Sequence, residues 1–125
     1  MLLIDTNIFL EILLGQKKKD ICKNFLNKNI NNLCISDFSL HSIGVILFRE
    51  NKHDTFKEFC NDFVGILEII TLPNSEYTRL IEANEKFKLD FDDAYQYTLS
   101  EFFDLEIITM DKDFNRIKKG KIRFL

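Results

Sequence analysis

Apolar side chains follow two rhythms along this chain. Five short runs, "LLI", "LCI", "ILEII", "EIIT" and "IRF", are almost wholly apolar and rich in β-branched residues, which predicts strands. Between them, residues 7–14, 17–29, 37–50, 53–63, 75–87 and 92–103 carry apolar positions at helical spacing. Strands without a polar face belong in a sheet covered on both sides, and strands alternating with helices make that sheet parallel. The pattern therefore predicts an α/β sandwich around a mainly parallel central sheet. Ser36, ahead of "DFSLHSIGVILF", and Asn74 or Ser75, after Pro73, are the expected N-caps.

Composition narrows this picture. A chain of 125 residues with 46% apolar side chains suffices for one domain with a real core, expected to span residues 1–125. Four glycines and one proline leave no room for long linkers or low-complexity tracts. Cys22, Cys34 and Cys60 are odd in number, lack a C-x-x-C spacing and sit in or beside apolar runs, which suits reduced, buried thiols in a cytoplasmic protein. The apolar N-terminus "MLLIDTNIFLEILL" is interrupted by Asp5, Asn7 and Glu11 and has no basic residues ahead of it. It fits neither a signal peptide nor a membrane span, so a soluble protein with no membrane association is expected. With 17 basic and 20 acidic residues the formal charge is −3, so any nucleic-acid contact must be local.

Candidate chemistry lies at the strand ends, because ligands of parallel sheets bind outside the carboxyl edge. "LLI" runs into Asp5, Thr6 and Asn7; "EIIT" runs into Met110 and Asp111, with Asp113 shortly after. If these strands are near neighbours, Asp5 and Asp111 leave the sheet at one edge. A third contribution comes from "DFDDAYQY". The helix from Asp93 to about Phe103 descends roughly 16 Å at 1.5 Å per residue. The strand that follows climbs back a similar distance at about 3.3 Å per residue. Asp93, or Asp92 if the helix phase differs by one residue, therefore returns to the Asp111 edge. Carboxylates gathered in one cleft repel unless a cation neutralises them, and Mg²⁺ or Mn²⁺ suits an all-oxygen donor set. Such a site suits phosphodiester hydrolysis. Taken singly, each aspartate has a plainer reading as a helix cap or a first-turn acid complementing the dipole. Their convergence is what points to chemistry.

The segments "LLIDTNIFL", "DDAYQYTLSE" and "LEIITMDKDF", in this order and spanning nearly the whole chain, resemble PIN-domain ribonucleases, especially the VapC-type toxins of toxin–antitoxin pairs. The resemblance implies a PIN-like three-layer α/β/α sandwich, a Mg²⁺- or Mn²⁺-dependent endoribonuclease acting on RNA, homodimerisation, and an antitoxin that masks the site. By position it implies that Asp5, Asp93 and Asp111 are the catalytic, metal-binding acids. Asn7, Thr109 and Asp113 fall at supporting polar positions, with Asp92 as an extra neighbour.

One feature departs from the family pattern. The glutamate usually found one to two turns into the helix after the second strand falls here on Ser42, and no carboxylate follows until Glu50. Asp37, His41 and Ser42 are the candidates to replace it; Asp37 and His41, four residues apart, share a helical face. A PIN domain that binds RNA or protein without cutting is therefore the competing expectation. Arg116, Lys118 and Lys119 in "RIKKGKIRF" follow the Asp111 loop and are candidate contacts to an RNA backbone, or else part of a solvated face. The 13 phenylalanines report mainly a packed core, although Phe25, Phe48, Phe56 and Phe59 also suit a partner-binding groove. Other acid-site folds fit less well: "IDTN" offers neither an acidic pair nor Asp-x-Asp after the first strand, and no phosphate-binding glycine loop is present.

Overall fold

A computed structural model describes residues 1–118 and 120–125. Its centre is a five-stranded parallel sheet in the order β3-β2-β1-β4-β5, with β1 at Leu2–Ile4, β2 at Leu33–Ser36, β3 at Glu68–Ile70, β4 at Glu106–Thr109 and β5 at Ile122–Phe124. The helices are α1 (Thr6–Leu13), α2 (Lys19–Lys28), α3 (Asp37–Arg49), α4 (His53–Phe59), α5 (Arg79–Phe87) and α6 (Phe91–Phe103). Strands and helices alternate as the sequence pattern predicts, giving an α/β architecture. Among the described residues no helix is long and apolar enough to cross a membrane.

Period-two alternation sends successive strand residues to opposite faces, so each central strand feeds two cores. Leu2, Ile4, Leu33, Ile35 and Ile108 join Ile8, Phe9, Leu26, Ile43 and Leu47 from α1, α2 and α3 on one face. Leu3, Cys34 and Ile107 join Leu80, Ala83, Tyr95 and Leu99 from α5 and α6 on the other. β1 and β2 are buried along their whole length and β4 from Ile107 onward, which explains their lack of a polar face, whereas β3 at one edge is largely exposed. Cys22 and Cys34 are buried free thiols, and Cys60 is a half-buried one.

Two local expectations need correction. Asn74 and Ser75 cap nothing: Glu76 N–H donates to Pro73 O at 2.9 Å, closing a 3₁₀ turn over Asn74–Glu76, and α5 begins only at Arg79. The extended residue before that turn is Pro73 itself, which has no side-chain acceptor to cap with. The helix expected over 53–63 keeps α geometry only through Phe59 and widens to a π turn at Cys60–Val64, where Gly65 N–H reaches back to Cys60 O at 3.3 Å. Ser36 does cap α3, accepting from Ser39 N–H at 2.9 Å.

The π turn brings Phe63 round beside Phe59. Phe9 packs edge-on against both rings, with centroids at 5.4 Å in each case. All three rings are buried in the core under α1, whose N-terminal residue follows Asp5 directly. Phe9→Ala is expected to destabilise the protein by about 3–5 kcal/mol, measured by urea unfolding; a loss below about 1 kcal/mol would show that this cluster does not anchor α1.

Candidate active site

β1 and β4 pair in parallel, Leu2 with Glu106 and Ile4 with Ile108, and Asp5 N–H extends the ladder by donating to Ile108 O at 3.0 Å. Asp5 thus leaves the sheet held by β4. Its Oδ1 accepts from Thr6 N–H at 2.9 Å and so caps α1, while its Oδ2 accepts from the Thr109 hydroxyl at 2.7 Å. The cap and the site acid are one residue.

Thr109 ends β4, fully buried, and its oxygen works twice: it donates to Asp5 and accepts from Asp111 N–H at 2.9 Å. Asp111 Oδ1 in turn accepts from Asp113 N–H at 2.9 Å, opening the 3₁₀ turn Lys112–Arg116. Hydrogen bonds therefore run from Asp5 through Thr109 and Asp111 to Asp113. From the other side, Asp90 caps α6 by accepting from Asp93 N–H at 3.3 Å, and Asp93 occupies the first turn, only 6% exposed. Oxygens of Asp93, Asp111 and Asp113 lie within 4.8 Å of one another, and those of Asp90, Asp92 and Asp93 form a second such group.

Asp5, Asn7, Asp92, Asp93 and Asp111 line one cleft of about 260 Å³, together with Ser42 and Gln96. Among the described residues no basic side chain lines it, and burial exacts the expected electrostatic cost. Burial first, then the charges of Asp111, Asp90, Asp5 and Asp92, push the Asp93 carboxyl up to about 8. Asp92 is pushed up to about 6 by burial, by its hydrogen bond with Asp90 and by that neighbour's charge; the same hydrogen bond lowers Asp90. Burial also raises Asp5, against the hydrogen bonds from Thr109, Thr6 and Gln96. A donor set of carboxylate and neutral oxygens with this excess of negative charge fits a hard divalent cation, and neither histidine nor cysteine lines the cleft to favour a softer one.

The proposed replacements for the absent glutamate separate. Ser42 lines the cleft; His41 instead lines an apolar groove with Leu40, Val45, Phe48, Phe56 and Val64. His41 is a correction to the shared-face expectation: the turn of α3 that aims Ser42 at the acids carries its neighbour round toward α4. Asp37 is likewise committed elsewhere, its Oδ1 accepting from the Tyr95 hydroxyl and from Phe38 N–H, both at 2.8 Å. Arg116 pairs with Asp113 at 3.3 Å and donates to Lys88 O at 2.9 Å, so it braces the acid next to Asp93 and Asp111. Lys118 is exposed, while Lys119 lies outside the described residues. Glu11 accepts from Lys18 N–H at 3.0 Å in the loop after α1.

Comparison with known proteins decides the family. The PIN domain family model matches residues 2–120. The chain belongs to the PIN-domain family. No curated protein sequence matches it, but solved PIN structures do. A toxin–antitoxin complex from Klebsiella pneumoniae contains a chain that superimposes with a TM-score of 0.77 at 21% identity, covering 94% of this chain and 93% of that one. VapBC2 from Rickettsia felis, bound to promoter DNA, gives a TM-score of 0.79 at 16% identity over 99% and 98%. VapC20 from Mycobacterium tuberculosis, described as a sarcin–ricin-loop-cleaving toxin, gives 0.77 at 12% over 92% and 93%. These identities carry the fold.

Gln96 was not singled out from the sequence. Its Nε2 donates to Asp5 Oδ1 at 3.4 Å from a side chain only 2% exposed. The signal was its place three residues after Asp93, a long polar side chain on the buried face of a helix.

Thr109→Val, which keeps the shape but removes the hydroxyl, leaves Asp5 Oδ2 and Asp111 N–H without this partner; a loss of about 1–3 kcal/mol is expected in chemical unfolding. A second expectation concerns metal-free protein in chelator. The folded chain retains the Asp93 proton up to about pH 8, whereas the unfolded chain releases it near the ordinary 3.8. Stability must therefore fall as pH rises from 5 to 8. Thermal melting should show that fall, and Asp93→Asn should flatten it; an equal fall in the variant would contradict the assignment.

Proposed function

We propose that this PIN domain is a divalent-metal-dependent endoribonuclease of the VapC type. The observation that carries the reading is the convergence of Asp5, Asp93 and Asp111 on one cleft that no basic side chain lines among the described residues, with Asp113 close beside Asp93 and Asp111. Asp93 and Asp111 would hold Mg²⁺ or Mn²⁺ with Asp5 or Asp113 beside them. When bound, the ion acts as a Lewis acid for phosphate oxygens and acidifies the attacking water. The chain's own residues prepare the site. Thr109 fixes Asp5 and Asp111 relative to each other, Arg116 steadies Asp113, and Asp90 holds the first turn of α6 so that Asp93 is presented at the cleft.

The solved neighbours also favour an antitoxin partner, since the K. pneumoniae and R. felis structures pair a toxin with its antitoxin. A groove of about 550 Å³, with Val45 and Phe48 exposed on its wall, is an apolar surface of the kind an amphipathic helix occupies. The exposed side chains of Ile81 and Phe91, near the α5–α6 face, suit the expected homodimer. A second reading, a PIN domain that holds RNA or a partner without cutting, is favoured by Ser42, which lines the cleft where the family places a carboxylate.

Cleavage of a mixed RNA pool in Mn²⁺, Mg²⁺ or EDTA tests the reading. Cutting should require the ion and should fall on the order of 100-fold in both Asp5→Asn and Asp93→Asn. A folded wild-type protein that cuts nothing in either metal would favour the non-cutting PIN domain.

A further inference from the structure

Among the described residues, one buried side-chain nitrogen or oxygen has no hydrogen-bond partner: Oε1 of Gln96. Its setting makes it informative. Gln96 lies on α6 three residues after Asp93, is 2% exposed, and lines the same cleft as Asp5, Asp93 and Asp111. In the structure the amide nitrogen Nε2 faces Asp5 and donates to its Oδ1, and the amide oxygen is the end left over. Burying a strong acceptor without a donor costs free energy, and such atoms in native proteins call for an explanation. A carboxamide oxygen is also a hard neutral ligand of the kind that divalent cations take alongside carboxylates.

We propose that Gln96 supplies an oxygen to the divalent cation held by the acids of this cleft, a neutral donor at a site that lacks the usual helix glutamate. The proposal rests on the reading of the cleft as a metal site. It makes Gln96 a ligand from α6, the helix that also presents Asp93, in place of a carboxylate from α3. The donor it adds is neutral, where a glutamate on α3 would add a negative charge. Its Nε2 holds Asp5 at the same time, so one side chain both orients an acid and completes the oxygen shell.

Calorimetric titration of metal-free protein with Mn²⁺ separates the possibilities, with urea unfolding of each metal-free variant alongside. Gln96→Leu should weaken Mn²⁺ binding about 10-fold or more, with urea unfolding of the metal-free variant showing that it still folds cooperatively. Gln96→Glu, which keeps an oxygen at that position, should bind Mn²⁺ at least as tightly as wild type. Wild-type affinity in Gln96→Leu would overturn the proposal, as would a loss in Gln96→Glu as large as that in Gln96→Leu. If Gln96→Leu does not fold, Gln96→Glu alone decides: weaker binding than wild type overturns the proposal. Failure of wild type itself to bind Mn²⁺ would instead remove the metal-site reading beneath it, and Asp93→Asn, expected to abolish binding, marks that separate case.

Discussion

Leu2, Leu3 and Ile4 pair with Glu106, Ile107 and Ile108, and this short parallel register decides where every acid of the cleft arrives. Because the strands run the same way and stop together, Asp5 and the Thr109–Asp111 corner leave one edge side by side. A one-residue slip would turn Thr109 to the opposite face and leave Asp5 without its hydroxyl donor. The register is in turn held by burial: Leu3 and Ile107 serve one core, while Ile4 and Ile108 serve the other. The site is thus a by-product of hydrophobic alternation, fixed in detail by a single hydroxyl that touches both strand ends.

That arrangement stores electrostatic strain. Asp5 and Asp93 are each nearly inaccessible, and both carboxyls are raised by burial together with neighbouring charge. A fold does not gain stability by gathering acids in this way; the cost is tolerable where a cation relieves it. The plain reading of the same residues as helix caps is also correct for Asp5 and Asp90, which do cap α1 and α6. Capping explains why those carboxylates face helix N-termini. It does not explain why Asp93, whose backbone N–H is capped by Asp90, is buried beside Asp111.

The fold was legible because the strands are uniformly apolar and the helices periodic, and both signals come from burial in one chain. Asp5, Asp93 and Asp111 were legible because strand ends and a closing helix–strand trip can be placed from rise per residue. Legibility stopped where a side chain's role depends on rotation about a helix or on a partner far off in sequence. His41 and Ser42 are adjacent in α3 yet face different surfaces, and Asp37 is claimed by Tyr95, 58 positions away. Asp113 proved a closer neighbour of Asp93 and Asp111 than its position in a turn suggested, because Asp111 itself caps that turn. Gln96 went unnoticed for a different reason: a polar, uncharged residue three positions after Asp93 is a weak signal until its orphaned oxygen is seen.

The central claim is that the acids converge in order to hold one hard cation. Anomalous diffraction from crystals grown with Mn²⁺ tests it directly. A peak within coordination distance, about 2.0–2.4 Å, of carboxylate oxygens from both Asp93 and Asp111 is the predicted result. No peak in the cleft at saturating Mn²⁺, or a peak held only by the exposed Asp90 and Asp92, would contradict it.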